Sequence, residues 1–563
     1  MKKILLSIFL FASLLSQSQV FNNEWINYSR TYYKFKVGTT GLYRISQPTL
    51  AAIGISSTPA EQFQLWRNGQ QIPLYTSVQT GSLTNTDYIE FWGEMNDGKP
   101  DSVLYKFSQD QLQLNNKWSL ETDTAAYFLT VNPAGGNSRF VPTTYSLPSA
   151  IPIEPYFIHT QGIYYREKLN PGYAAVVGEY VYSSAYDQGE GWTSNDIGTN
   201  QTRLIPYLNL NPYTGVGAPA PILKINATGN ALNPRQIEVK VNGSIVQNIT
   251  MDFFDYVKAS IPVNQADVNT GSLNVEVANR CLTSGSDRMV IAQSELQYAR
   301  LFNFGGADKF EFTLPANATG NYLEISNFSH NGVSPVLYDF TNGKRYVCDI
   351  TNPSLVKVEL QASATIRKLL LVSQHSSVPV AITTFQTRNF VNYGLPANQG
   401  NYLIISHPAL MNGAGGSNPV ENYKTYRSSV PGGSHNAKVY LIDELVDQFA
   451  FGIKKNPLAV RNFIRWARNT YTAPVKNVLL IGKGLNYPSY RAFESNVDVE
   501  RLAFIPTFGS PASDILLAAE PGADGIPKVP IGRIWVQVQV WNQPCLICTN
   551  IIRSPSLSLV VRR

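Results

Sequence analysis

Apolar and polar positions follow two rhythms along the chain. Up to about residue 390 they alternate in short runs, which is the period of half-buried strands. Tyr32-Tyr33-Lys34-Phe35-Lys36-Val37 and Leu42-Tyr43-Arg44-Ile45 flank the glycine-bounded stretch Gly38-Thr39-Thr40-Gly41, and the pattern predicts a hairpin. Asn68-Gly69 sits between Gln64–Arg67 and Gln70–Leu74, and Asn242-Gly243 between Gln236–Val241 and Ile245–Thr250. Asn-Gly accepts positive φ at both central positions of a tight turn, so both predict hairpins. The turns divide this part into a β-rich unit over 20–145, a β-sandwich over 150–315 and a smaller β-unit over 318–390. Gly271–Val277 and Phe310–Leu314 fall in the sandwich, and Leu369-Leu370-Leu371-Val372 in the smaller unit. Gln386–Gly400 reads as a linker.

From 401 to 534 the rhythm changes. Tyr402-Leu403-Ile404-Ile405-Ser406, Lys438-Val439-Tyr440-Leu441-Ile442-Asp443 and Val475–Gly482 are continuous apolar runs separated by helix starts. Runs of that kind are covered on both faces, as in a parallel sheet. Asn418-Pro419 and Asn456-Pro457 each place a capping side chain before a proline that needs no donor at the first helical position. After Pro457, the residues Val460, Phe463, Ile464, Ala467 and Tyr471 form one stripe, with Arg461, Arg465 and Arg468 largely outside it. Ligands of such sheets bind beyond the carboxyl ends of the strands. That rule singles out His407, Glu444 and Gly482-Lys483-Gly484.

Composition adds a compartment. With 563 residues, 12% aromatics and only 15% charged residues, the chain reads as multidomain, β-rich and extracellular. A net charge of +6 without a basic stripe argues against nucleic acid as a partner. Met1–Gln19 has Lys2 and Lys3 before the largely apolar run Ile4–Leu15, and small residues follow at Ser16-Gln17-Ser18. This is a secretory signal, too short to span a bilayer. No later run suggests a transmembrane span, so the mature chain is expected in the periplasm, at the cell surface or outside the cell.

The remaining chemical signals are weak. Asn96-Asp97-Gly98-Lys99-Pro100-Asp101 offers oxygen ligands, so calcium is possible, but it lacks a full ligand series and reads as a turn. Otherwise no cofactor and no metal site is expected. Tyr186–Trp192 reads as an irregular loop closed by a packed Trp. Cys281 and Cys348 either pair or stay free. Cys545-Leu546-Ile547-Cys548 has no second ligand pair for zinc and opens no thioredoxin-like helix. Gly482-Lys483-Gly484 has Tyr487 where a dinucleotide loop has its third glycine, and reads as a tight turn. His407 follows a strand, but no nucleophile with an orienting carboxylate accompanies it.

A resemblance adds to this. Tyr402–His407, Val439–Glu444, Phe449-Ala450-Phe451-Gly452, Asn477–Gly482, Phe504-Ile505-Pro506-Thr507, Ser513-Asp514 and Val529–Ile534 are similar, in this order, to the gingipain-type cysteine peptidases. They are most similar to the sortase-like, PorU-like members linked to type IX secretion. Asn23–Ile26, Gly41–Ile45, Asp87–Glu94 and Thr122–Leu129 resemble the exported amino-terminal region of those members. The resemblance implies β-rich amino-terminal domains followed by a caspase-like α/β domain with a parallel sheet. It implies thiolate attack assisted by a histidine, protein or peptide substrates, and type IX secretion components as partners. It also implies a substrate-binding role for Asp514, whose carboxylate would favour a cationic side chain.

The family's catalytic His and Cys follow the strand matched by Ile531-Gly532-Arg533. After Ile534 only 29 residues remain (563 − 534), without Asp, Glu, Gly, Ala, His or Lys, and they match nothing in the family. The expectation is a domain truncated before its catalytic residues, with an unmatched tail over 535–563, and therefore an inactive chain. Two functions remain at this point: a gingipain-type peptidase or sortase, or a non-catalytic β-rich surface module.

Overall fold

The computed structural model describes residues 20–535, apart from 109, 284, 376, 414–415 and 522–524. Residues 1–19, expected to be a secretory signal, and the tail from 536, with Cys545 and Cys548, lie outside the described residues. Three β-sandwiches precede the α/β unit. In the first, one sheet runs in the order Gln386–Asn389, Thr31–Val37, Ala125–Val131, Phe63–Arg67, Gln70–Ile72. It faces a sheet ordered Val380–Ala381, Gly41–Ser46, Tyr88–Gly93, Tyr75–Thr76. Phe35, Val37, Ile45, Phe91 and Leu129 fill the space between them. Each such fully buried side chain stabilises by about 1.5–3 kcal/mol.

The second sandwich sets Phe157–Tyr164, Arg288–Arg300, Ile222–Gly229 and Tyr256–Pro262 against Thr202–Tyr207, Leu273–Cys281, Arg235–Val241 and Ser244–Met251. The third sets Asn303–Ala307, Asn321–Phe328 and Leu355–Leu360 against a sheet that runs from Lys309–Leu314 through Arg367–Val372 to Val141–Pro142. Asn68 and Gly69, like Asn242 and Gly243, take positive φ in tight hairpins, as their sequence demands.

Three expectations are corrected. Thr31–Val37 and Gly41–Ser46 are not a hairpin: each pairs in a different sheet, with Ala125–Val131 and Tyr88–Gly93 respectively. The short connection crosses from one layer to the other, which alternation alone does not distinguish from a turn back. The stretch from 386 opens as a strand rather than a linker, since Gln386–Asn389 pairs with Thr31–Lys34. Its polar composition reflects an edge position. Phe310 and Leu314 belong to the third sandwich, because their strand pairs with Arg367–Val372.

The α/β unit contains β1 (Tyr402–Ser406), α1 (Pro419–Ser428), β2 (Ala437–Leu441), α2 (Ile442–Phe449), α3 (Leu458–Thr470), β3 (Asn477–Ile481), α4 (Tyr487–Ala492), α5 (Val497–Leu502) and β4 (Ile531–Ile534). The sheet order is β2-β1-β3-β4, and every pairing is parallel. Asn418 Oδ1 accepts from Glu421 N at 3.0 Å, so the predicted cap of α1 forms; Asn456 Oδ1 accepts from Leu458 N at 2.9 Å, but Pro457 takes the cap position of α3. The predicted stripe of α3 is buried, but Arg461 and Arg465 are buried too, at 4% and 8% exposure. Segments around Val103, Phe508 and Glu520 cover the face that periodicity assigned to solvent.

The unit is docked on the first sandwich. Asp447 of α2 is fully buried and ion-paired with Lys34 and with Arg388 (2.7 Å). Asn22 Nδ2 donates to Phe449 O, and Tyr28 OH to Gln448. A Cβ on Gly69 would lie 2.6 Å from the Phe451 ring, and one on Gly452 2.6 Å from Ala126, so both positions need glycine for close approach. Among the described residues no helix is long and apolar enough to cross a membrane.

Candidate functional site

The carboxyl ends of β1, β2 and β3 converge on one edge. His407 follows β1 and caps the short helical turn Pro408–Leu410: its Nδ1 accepts from Ala409 N at 3.1 Å. That bond fixes the neutral ring with the proton on Nε2. Nε2 stands 4.0 Å from Asp443 Oδ1, beyond hydrogen-bond reach. The ring lies 4.6 Å from that of Phe504. Burial lowers the His407 pKa, Asp443 opposes that shift, and Lys455 adds to it. Glu444, the residue singled out from the strand end, lies away from this histidine. Its carboxylate faces Gln448, and burial raises its pKa against the pull of Arg388. The acid beside His407 is Asp443, which sequence spacing did not separate from its neighbour.

Glu500 of α5 gathers Lys454, Lys455 and Tyr490. Lys455 also donates to Ala503 O. This edge therefore holds one neutral imidazole, two acids and two amines. It holds no thiol: among the described residues the cysteines are Cys281 and Cys348, which are free. Cys281 ends a strand of the second sandwich, and Cys348 is buried beside the third. Burial pushes the Cys348 thiol well above its usual range, the opposite of an activated nucleophile.

Gly482-Lys483-Gly484 is a turn, as its spacing suggests. Gly482 N donates to Ile534 O, and the Lys483 carbonyl accepts from Ile505 N. Arg533 of β4 holds this turn with all five of its donors. Nε and Nη2 grip Asp514 at 2.8 and 2.7 Å; Nη1 donates to Gly482 O and Ile505 O, and Nη2 also to Pro506 O. Asp514 thus faces a guanidinium of its own chain. Arg533→Met should cost about 2–3 kcal/mol, the range for losing charged hydrogen bonds whose acceptors stay partly buried. Urea denaturation followed by near-UV circular dichroism measures it, and an unchanged midpoint would refute the role of Arg533 as a clamp.

Of the two loops weighed as ligand sites, the second docks the α/β unit. Asp97 pairs with Lys99 at 2.9 Å, whereas Asp101 is fully buried and accepts from Leu120 N at 2.8 Å. No group of three or more potential metal ligands exists among the described residues. In the other loop, Tyr186 stacks on Tyr487 of α4 with ring centroids 5.4 Å apart. Glu190 accepts from the Tyr487 hydroxyl at 2.6 Å, and Trp192 Nε1 donates to Ser119 O. The residue that breaks the glycine pattern is therefore a buried anchor between the second sandwich and the α/β unit.

Three carboxyls are buried at this junction. Burial pushes Asp101 up to about 7 and Glu190 to about 8, and it pushes Glu121 well above its usual range. Arg491 and Lys106 oppose these shifts; Asp97, Asp187 and Asp101 reinforce them. All three folded pKa values lie above unfolded values of about 4, so the fold holds extra protons, and stability present at low pH is lost as pH rises through 7 and 8. His159, lowered to about 4 by burial, acts oppositely, but only below about pH 6.5. The melting temperature should therefore fall between about pH 6.5 and 8, and Glu190→Gln should flatten the slope. A melting temperature constant or rising across that range, at fixed ionic strength, would contradict the assignment.

Comparison with known proteins agrees with this architecture. Residues 395–539 match the model of peptidase family C25, the gingipain family. No curated protein matches the chain in sequence. The crystal structure of dimeric latent PorU from Porphyromonas gingivalis aligns with 90% of this chain and 48% of its own, at 14% identity and a TM-score of 0.55. The chain thus spans about half the length of that protein, and the likeness is one of fold. The CBM36-1 domain of a multidomain xylanase from the hindgut metagenome of Trinervitermes trinervoides aligns with 24% of this chain and 96% of its own, at 11% identity and a TM-score of 0.17. The β-rich region followed by a parallel α/β domain, and the gingipain-type resemblance of that domain, are as the sequence implied.

Proposed function

We propose that this chain is the β-rich region and the adjoining caspase-like frame of an exported gingipain-type cysteine endopeptidase or sortase associated with type IX secretion. The observation that carries the reading is the parallel β2-β1-β3-β4 sheet with its family C25 match over 395–539. In this reading Met1–Gln19 directs export, protein substrates meet the carboxyl edge of the sheet, and a thiolate with a histidine base performs acyl transfer. In this reading those two groups belong to a continuation of the domain after Ile534 that these 563 residues do not carry. His407 serves the frame, because its Nδ1 lone pair is committed to Ala409 N. Asp514 enters as the carboxylate that fixes Arg533, so a cationic substrate side chain would have to displace that guanidinium. We further propose that the three sandwiches act as separate folding units.

The lack of a thiol near His407 among the described residues favours a second reading, a non-catalytic surface module. A thiol-directed peptidyl probe carrying arginine, applied to the protein isolated from cells that export it, separates the two. The proposal expects labelling at a cysteine of the exported protein other than Cys281, Cys348, Cys545 and Cys548. Labelling at any of those four would overturn it, and no labelling at all would favour the module.

A further inference from the structure

A second site, apart from the carboxyl edge and the Arg533 clamp, lies where α3 meets the sandwiches. Arg461, in the first turn of α3, is only 4% exposed. Its Nη2 donates to Val103 O at 3.0 Å, while its Nε has no hydrogen-bond partner among the described residues. No carboxylate of the described residues stands within ion-pair distance of it. Its neighbours Arg465 and Arg468 share the single carboxylate of Glu520, at 2.9 and 2.7 Å. Among the described residues, three guanidiniums thus face one acid. Burial lowers the Arg461 pKa to about 10, so it remains a cation at neutral pH. A buried charge without a counter-ion is costly, and among the described residues Arg461 has none, which leaves room for an anion.

That room exists. A cavity of about 440 Å³ borders Arg461, large enough for a small organic molecule. Leu104, Phe107, Phe508 and Leu516 line it with apolar surface, Ser183 and Ser513 add hydroxyls, and the charges of Lys106 and Glu520, which also border it, are taken up by Asp187 and by Arg465 and Arg468. The Phe508 ring centroid lies 5.0 Å from the Arg461 guanidinium carbon. Phe107 is 61% exposed and Ile515 51%, which leaves the rim apolar as well. Asp514, between two lining residues, is committed to Arg533.

We propose that this cavity binds a monocarboxylate carrying an apolar body, with the carboxylate on Arg461 and the body against Leu104, Phe508 and Leu516. A guanidinium matches a carboxylate in two parallel hydrogen bonds, and one cation suits one negative charge. Two sources share this chemistry: the carboxyl terminus of a polypeptide that ends in an apolar residue, and a free aryl or aliphatic acid.

Calorimetric titration of the full chain with 4-phenylbutyrate and its neutral amide tests the proposal. A blocked tetrapeptide ending in Leu-Phe, as the free acid and as the amide, forms the second arm. Both acids should bind at least about tenfold more tightly than their amides. Arg461→Met should remove that preference with the melting temperature kept or raised, since it deletes an unpaired buried charge. Leu516→Trp keeps the charge, fills the cavity and should weaken the acids by about tenfold, which decides the matter if Arg461→Met fails to fold. A peptide acid tighter than phenylbutyrate makes the natural ligand a chain terminus; the reverse makes it a free acid, and either result supports the site. Acids and amides that bind alike, no binding at millimolar concentration, or a folded variant that binds as the parent does would overturn it. Such a failure leaves the cysteine-peptidase reading untouched, because that reading is tested by thiol labelling.

Discussion

Replacing Asp447 with alanine is expected to destabilise the docked α/β unit by about 3–5 kcal/mol, the range for breaking a buried ion pair from one side. Asp447 is fully buried, and it neutralises Lys34 and Arg388 from two adjacent strands of the first sandwich. Those side chains are themselves only 12% and 15% exposed, so solvent cannot replace the lost carboxylate. The pair also holds α2 in place, and α2 carries Asp443 to its position beside His407. Limited proteolysis should cut the 395–534 region of the variant first, while the sandwiches persist. A midpoint of urea unfolding equal to that of the parent chain would contradict the docking account.

The second large effect lies in the second sandwich. Arg235 and Asp287 have no exposed side-chain surface, and they form two parallel bonds of 2.8 Å. Two further donors of Arg235 reach Phe253 O and Ala231 O. Asp287→Ala leaves a guanidinium in the core with only carbonyl partners, and should also cost about 3–5 kcal/mol. The double change Arg235→Met and Asp287→Leu removes both charges, and should recover most of that loss. Thermal unfolding of the three variants measures it. A double variant less stable than Asp287→Ala would show that the pair is worth more than its desolvation.

Local chemistry explains which parts of the structure were legible in the sequence. Asn68-Gly69 and Asn242-Gly243 specify their turns because few residues tolerate two consecutive positive φ values. Asn418 announces its helix through a single side-chain oxygen. The continuous apolar runs of β1 and β3 identify a sheet covered on both faces. What stayed hidden depends on distant partners. The strand Thr31–Val37 alternates equally well whether it turns back on itself or crosses to another layer. Arg461 and Arg465 lie on the polar side of α3 by periodicity, and only the tertiary fold lays Val103 and Glu520 over them. The role of Tyr487 depends on Glu190, 297 residues away in the chain. At the candidate site, the strand ends pointed to the right edge. They did not choose between Asp443 and Glu444, since which of two adjacent helical residues faces His407 is set by how α2 docks.

The central claim is that residues 395–534 form a gingipain-type frame whose nucleophile is not among the described residues. Incubation of the purified 563-residue chain with arginine- and lysine-containing peptide substrates under reducing conditions tests it most directly. The account predicts no cleavage above buffer from the parent chain or from its Cys281→Ala, Cys348→Ala and His407→Ala variants. Cleavage by the parent chain that disappears on replacing His407, Cys281, Cys348, Cys545 or Cys548 would contradict it.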